Sequence, residues 1–314
     1  MAAIGVFGRL ATPRRRLLIL IYHRVLQQRD ELYPGIPTAV DFTWQIGLIA
    51  RHASPLPLHE AVTRLRNGRL PARAVTVTFD DGYADNVSVA APILRSAGVP
   101  ATFFVATGFL DSGRMWNDTI IESVRRCEFG SIDLNGIGLG AASLDGPGSR
   151  RILADRIIAS IKHCAPAERS AAAQLVATAS GVSLPDDLMM RSTDVRDLAA
   201  GGMEIGAHTV SHPILRALDR DSAASEISTS RQRLESLTGR AVRFFAYPNG
   251  RPGDDYTEEH VRIVRDLGFE AALSTRRGVA HRGSDPFQLP RFTPWDRSPA
   301  RFLARLLLEF RRLA

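Results

Sequence analysis

Unbroken apolar runs, each ended by a polar cluster, alternate along this chain with stretches whose apolar residues recur every three or four positions. Leu17–Tyr22 is continuous rather than alternating, the pattern of a strand covered on both faces. Asp41 is a plausible N-cap for a helix carrying Phe42, Ile46 and Ile49, and Leu58 to Arg66 reads as a second helix closed by Asn67-Gly68. A β-branched run, Ala74 to Phe79, is the next strand. A helix over Val87 to Ala97 stops at Gly98, and Ala101 to Val105 is strand-like again. Strand and helix in turn predict parallel strands joined by crossover helices. The pattern breaks from about residue 109 to about residue 190. There the Gly-rich turns Asn135-Gly-Ile-Gly138 and Asp145-Gly-Pro-Gly148 separate helical stretches near Ile152–Ile161 and Glu168–Ala179. This segment reads as an insertion over one mouth of a single domain covering residues 1–314, not as a separate unit. Alternation resumes with a helix at Asp194–Ala200, a strand at Met203–Ala207, a polar helix at Ser222–Leu237 ending at Gly239, and a strand at Val242–Ala246. A helix at Thr257–Leu267, stopped by Gly268, and a strand at Phe269–Leu273 complete roughly seven strand–helix units.

Composition changes this picture little. A chain of 314 residues with 45% hydrophobic and 23% charged residues can bury a sizeable core. The net charge of +7 is carried almost wholly by arginine, Lys162 being the one lysine. Such a surface favours anionic partners or reflects an arginine-rich solvated face; no nucleic-acid partner is expected. The basic amphipathic stretch at residues 298–314 has two readings: peripheral contact with an anionic membrane surface, or a helix packed on the barrel with its arginines in solvent. Cys127 and Cys164 show no metal-type spacing and imply no disulfide framework. The run Leu17–Ile21 after Arg14-Arg15-Arg16 is too short for a signal-peptide core and lacks a cleavage site, and no segment is apolar enough to span a bilayer. A cytoplasmic or peripheral-membrane protein is expected.

The chemistry gathers at strand ends. Ala74–Phe79 runs straight into Asp80-Asp81-Gly82. Adjacent side chains of a strand face opposite ways, so both carboxylates can serve one site only if the strand stops there. Forced together they repel, so one holds a proton or a cation sits between them; a plain Asp-Asp-Gly turn is the alternative. His208-Thr-Val-Ser-His212 likewise follows a strand. A spacing of four would set both imidazoles on one face of a helical turn, suited to one metal. In parallel α/β architectures functional groups collect at the carboxyl ends of strands, so the two clusters should face one mouth. Asp81, His208 and His212 then make a two-histidine, one-carboxylate set, which suits zinc and leaves a position for water.

Thr78-Phe-Asp-Asp-Gly82 and Gly206-Ala-His-Thr-Val-Ser-His-Pro213 resemble the two leading motifs of the polysaccharide deacetylase family, carbohydrate esterase family 4, with its nodulation-protein-B-like domain. The likeness spans the barrel strands and leaves out the insertion. It implies a distorted (β/α)7 barrel, a divalent metal, most simply Zn2+, on Asp81, His208 and His212, and Asp80 as general base. Its third motif falls at Arg243-Phe-Phe-Ala-Tyr-Pro-Asn-Gly250 with two departures. Ala246 stands where many members have an arginine that orients the base, and Asn249 stands where they have a tyrosine whose backbone N–H binds the oxyanion. The backbone role can pass to Asn249. The family's late Leu-x-x-His motif is missing.

Ile21-Tyr-His-Arg24 resembles the first strand of a permuted branch of the family, in which the acid histidine comes from the N-terminal strand. That makes His23 the candidate general acid, with a buried hydrogen-bonded histidine as the bland reading and His281 as the weaker alternative. Leu289-Pro-Arg291 resembles that branch's late arginine, so Arg291 is the candidate to orient Asp80. Tyr83, Tyr247 and Trp295 are candidate sugar contacts, each also compatible with a core position. The activity implied is removal of N-acetyl groups from an amino-sugar polymer or oligosaccharide, such as an exopolysaccharide or cell-surface glycan. A degenerate carbohydrate-binding or assembly barrel and a hydrolase of other non-peptide C–N bonds are the alternatives.

Overall fold

The computed structural model describes residues 15–311. Arg14 of the basic triplet, with the rest of residues 1–14, and residues 312–314 of the expected C-terminal helix lie outside them. Seven parallel strands follow one another around a barrel: β1 (Leu17–Tyr22), β3 (Ala74–Phe79), β4 (Ala101–Val105), β7 (Glu204–Ala207), β8 (Phe244–Ala246), β9 (Ala271–Arg277) and β10 (Leu289–Arg291). β2 (Ser54–Pro55) pairs only with the start of β3. The circle closes just past β10, where Ile21 donates its N–H to the Phe292 carbonyl at 3.0 Å and Phe292 donates to Ile19 at 2.8 Å. The result is the nearly closed, distorted barrel the sequence led us to expect.

Alternation inside the continuous apolar runs now has a reason. Leu17 and Ile19 of β1 join Phe104, Phe244, Leu273 and Leu289 in the barrel interior. Leu18 and Leu20 face outward into a second core with Phe42, Val75, Phe103 and Phe245. A strand buried on both sides has no polar face to show. Helices α1 (Ala39–His52), α3 (Ala91–Ser96), α7 (Ser192–Ala200), α8 (Arg220–Thr238) and α9 (Glu258–Asp266) lie along the chain between strands. α2 (Leu58–Arg66) is different: Leu58, Ala61, Val62 and Leu65 pack on the interior residues that begin β1, β3 and β9, so it stoppers the end where the strands start.

The start of α1 departs from expectation. Thr38, not Asp41, is the N-cap; its hydroxyl accepts from Asp41 N–H at 3.1 Å and Asp41 reaches back to Thr38 N–H, a reciprocal capping box. α3 is shorter than expected, because Asn86–Ala90 forms a wide turn closed from Ala91 N–H to Asn86 C=O. Between β4 and α7 the chain builds α4 (Trp116–Arg126), the hairpin β5 (Ser131–Asp133) and β6 (Ala141–Ser143), α5 (Pro147–Ile161) and α6 (Pro166–Ser180). Asn135–Gly138 is the turn of that hairpin. Ile120, Val124, Ile132, Leu153, Ile157 and Val176 give the segment a small core of its own.

The last helix, α10 (Pro299–Arg311), lays Phe302 and Leu306 on the outer core, with Phe302 edge-on to Trp44. Its Arg305 pairs with Asp296. Among the described residues no helix is long and apolar enough to cross a membrane.

Candidate active site

β1, β3, β7, β8 and β10 all deliver their chemistry at the carboxyl end of the barrel. β3 ends in Asp80, and Asp81 then takes φ +77° and Gly82 φ +90°, turning the chain sharply so that two neighbouring carboxylates serve one mouth. A Cβ at Gly82 would press on Val105 at 3.0 Å, so the turn also needs glycine for room.

Asp81 Oδ1 stands 3.3 Å from Nε2 of His208 and 3.3 Å from Nε2 of His212. The three donor atoms lie within 4.8 Å of one another. Asp81 is buried, yet its Oδ1 has no hydrogen-bond partner, an expensive arrangement unless the atom faces a cation. His208 Nδ1 sits 2.7 Å from the Ala246 carbonyl. A carbonyl only accepts, so Nδ1 carries the proton and Nε2 offers its lone pair to the centre. Two imidazole nitrogens and a carboxylate oxygen fit a divalent cation of the zinc type.

The histidines do not reach this geometry through a helical turn. Residues 208–212 form a loop in which Thr209 (φ +67°) and His212 (φ +51°) are left-handed. The loop is tied down from α8, where Glu226 accepts from Val210 N–H at 2.8 Å, Ser211 N–H at 2.9 Å and the Ser211 hydroxyl. Nothing in the spacing of Glu226 announced this role.

Asp80 is held apart from the histidine pair. Arg291 grips it with two parallel bonds of 2.7 Å, Nη1 to Oδ1 and Nη2 to Oδ2, while Arg291 Nε donates to the Ser274 carbonyl at 3.0 Å. Both partners are buried, Arg291 1% exposed and Asp80 2%. Burial pushes the Asp80 carboxyl up, but the charge of Arg291, then of His208, outweighs it and holds Asp80 below the usual range. Burial likewise opposes ionisation of Asp81, and the two histidines overcome it to keep that carboxyl well down. His212 is pushed down to about 4, first by burial, while the Asp80 and Asp81 charges raise His208 against its own burial.

His23 follows β1 and is exposed, which sets aside the buried reading. It lines two cavities, one of about 330 Å³ with Tyr33, Tyr83 and Trp295, the other of about 850 Å³ with Asn249, Thr275 and Thr293. Its carbonyl accepts from Asn86 Nδ2 at 2.8 Å, and Asp85 fixes the next two residues through Arg24 Nε at 2.7 Å and Val25 N–H at 3.0 Å. His281 is at the wrong end, because Ala280 pairs with Leu17 where β1 begins.

Asn249 has φ +55° and passes its carbonyl to Thr275 Oγ1 at 2.6 Å, across the larger cavity's wall from His23. Trp295 is 49% exposed at the edge of the smaller cavity. Tyr83 lines that cavity too, but its hydroxyl donates to the buried Asp118 at 3.1 Å and its ring lies under Arg24. Tyr247 is a correction. It is fully buried, stacked on Tyr256 at 3.8 Å with its hydroxyl on the Phe287 carbonyl, and offers no face to a sugar.

A family model described as polysaccharide deacetylase matches residues 67–272. That span holds Asp80, Asp81, His208, His212 and Asn249 and leaves His23 and Arg291 outside. The Streptococcus pyogenes deacetylase PplD, solved in complex with acetate, is 20% identical with a TM-score of 0.63, over 93% of this chain and 99% of that one. IcaB from Ammonifex degensii is 21% identical with a TM-score of 0.62, over 93% and 97%. YxkH of Bacillus subtilis (strain 168) is 20% identical over 277 residues, covering 88% of this chain and 70% of its own.

Proposed function

This chain belongs to the polysaccharide deacetylase family, and from that membership we propose that it is a divalent-metal-dependent hydrolase, best suited to zinc, that removes N-acetyl groups from an amino-sugar poly- or oligosaccharide. The observation that carries the reading is the convergence of Asp81, His208 and His212 beside a separate carboxylate, Asp80, that Arg291 holds ionised.

The N-acetyl amide resists hydrolysis because its carbonyl is unreactive and its amine leaves poorly unless protonated. A cation held by Asp81, His208 and His212 supplies Lewis acidity for the carbonyl and acidifies water. Asp80, ionised and clear of the three ligands, takes the proton of the attacking water. The backbone N–H of Asn249 donates to the oxygen on which negative charge grows. His23, protonated, gives its proton to the sugar nitrogen as the C–N bond breaks, releasing acetate and a free amine. On this reading the chain falls in the permuted branch, with its acid just past the end of β1. Trp295 offers the exposed ring for a neighbouring sugar. A barrel that only bound glycan would have no use for a base pinned by a buried arginine, which weighs against that alternative.

The test is acetate release from an N-acetylglucosamine oligomer, with metal analysis of the purified protein. We expect bound zinc, acetate release, loss of release with a chelator and recovery on adding zinc. Acetate release that ignores the chelator, or none from zinc-replete protein, would defeat the proposal.

A further inference from the structure

An arginine of the insertion packs against the loop that carries His208 and His212. Arg169, on α6, is 3% exposed, deep for an arginine, and among the described residues no carboxylate lies within ion-pair distance of it. Its guanidinium instead donates Nη2 to the Ser211 carbonyl at 2.9 Å and Nη1 to the His212 carbonyl at 3.3 Å. The ring of Trp116, from α4, lies 4.7 Å below it. Its Nε has no hydrogen-bond partner.

We propose that Arg169 is a positioning residue for the metal site, fixing the His208–His212 loop so that both imidazoles face Asp81. This rests on the metal-dependent reading above. The argument is one of accounting. The loop's N–H groups at Val210 and Ser211 are taken by Glu226 from α8, and the Thr209 and Val210 carbonyls accept from Thr107 and Gly108. The His208 carbonyl accepts from the Thr209 hydroxyl, and the last two, on Ser211 and His212, accept from Arg169. The Glu226 carboxylate takes the loop's donors and the Arg169 guanidinium takes acceptors that the barrel leaves free. Left-handed Thr209 and His212 are conformations that L residues leave readily when such ties are cut.

A guanidinium suits this task because its planar fork spans two carbonyls while Trp116 covers its face. The insertion is then tied to the metal loop: α6 supplies the guanidinium that binds its carbonyls and α4 the ring that covers it.

The experiment compares wild type, Arg169→Met and Arg169→Lys as metal-free full-length proteins, measuring Zn2+ dissociation constants with a competing chromophoric chelator well below the unfolding temperature. Removing a partner that orients a ligand typically weakens metal binding about 10–100-fold. We expect that loss in Arg169→Met and a partial recovery in Arg169→Lys, whose ammonium reaches one carbonyl. The absorption spectrum of Co2+-loaded Arg169→Met should also shift as the histidine geometry relaxes. Unchanged Zn2+ affinity and an unchanged Co2+ spectrum in Arg169→Met, even with a lowered unfolding temperature, would make the residue merely structural and overturn the proposal. Failure of wild type itself to bind Zn2+ would bring down the metal-dependent reading and this inference together.

Discussion

Replacing Arg291 by methionine is the sharpest probe of the site, because it removes the grip on Asp80 while leaving Asp81, His208 and His212 intact. In the wild type two bonds of 2.7 Å join partners that are 1% and 2% exposed. Stripping one partner from a buried pair strands the other charge at a cost of about 3–5 kcal/mol. Asp80 can escape that cost by taking a proton, which at pH 7 costs a carboxylate of ordinary pKa about 4 kcal/mol. The two costs nearly match. Asp80 in the variant should therefore titrate close to neutrality instead of below the usual carboxylate range. The expected result is stoichiometric zinc, acetate release roughly halved at pH 7, where about half of Asp80 then carries a proton, and an acidic limb of the pH–rate profile moved up by several units, so that release falls about tenfold for each pH unit below neutrality. The variant should also lose about 3–5 kcal/mol in denaturant unfolding, much of which Asp80→Asn should restore in the double variant, since no charge is then left buried. Activity that keeps its wild-type acidic limb, or zinc lost along with activity, would refute the assignment of Arg291 to the base.

Three further outcomes follow from the same geometry. Asp80→Asn should retain zinc and lose turnover, whereas His208→Ala should lose both; equal zinc loss, read by metal analysis, would show the roles to be wrongly divided. His23→Ala should keep its zinc and slow amide hydrolysis about 10²–10⁴-fold, but slow an activated acetyl ester far less, because a good leaving group needs no proton; equal loss on both substrates would remove His23 from the acid role. Asp118 has its carboxyl pushed up to about 6, first by burial. A folded-state value above the unfolded one gives stability that is full below about pH 4 and drains away as pH rises through 6. Metal-free wild type should thus lose about 2–3 kcal/mol between pH 4 and pH 7 relative to Asp118→Asn, and parallel stability profiles for the two proteins would contradict this.

Part of the site was legible before any coordinates because it rests on local chemistry. A β-branched strand running into Asp80-Asp81-Gly82 has to stop there, and the carboxylates have to find a cation or a proton. His208 and His212 were found as a pair, yet for the wrong local reason: the loop is left-handed at Thr209 and His212 and owes its shape to distant groups. Arg291 could be named from resemblance, but its grip on Asp80 spans 211 residues of sequence. Tyr247 looked available because its motif sits near a strand end, and only packing on Tyr256 shows that it is not.

From sequence alone came the order of strands and helices, the apolar runs that mark strands buried on both faces, and the carboxylates and imidazoles placed just past strand ends. Periodicity and residue type decide these, and both act over a few neighbouring positions. Tertiary structure decided the rest: closure of the barrel between Ile21 and Phe292, the side of the mouth on which His23 opens, and the clasp of Glu226 and Arg169 on the histidine loop. They rest on peptide groups distant in sequence from their partners, backbone to backbone at the barrel seam and side chain to backbone at the histidine loop. A backbone carbonyl is the same in every residue, so the identity of its partner leaves no mark on the sequence around it.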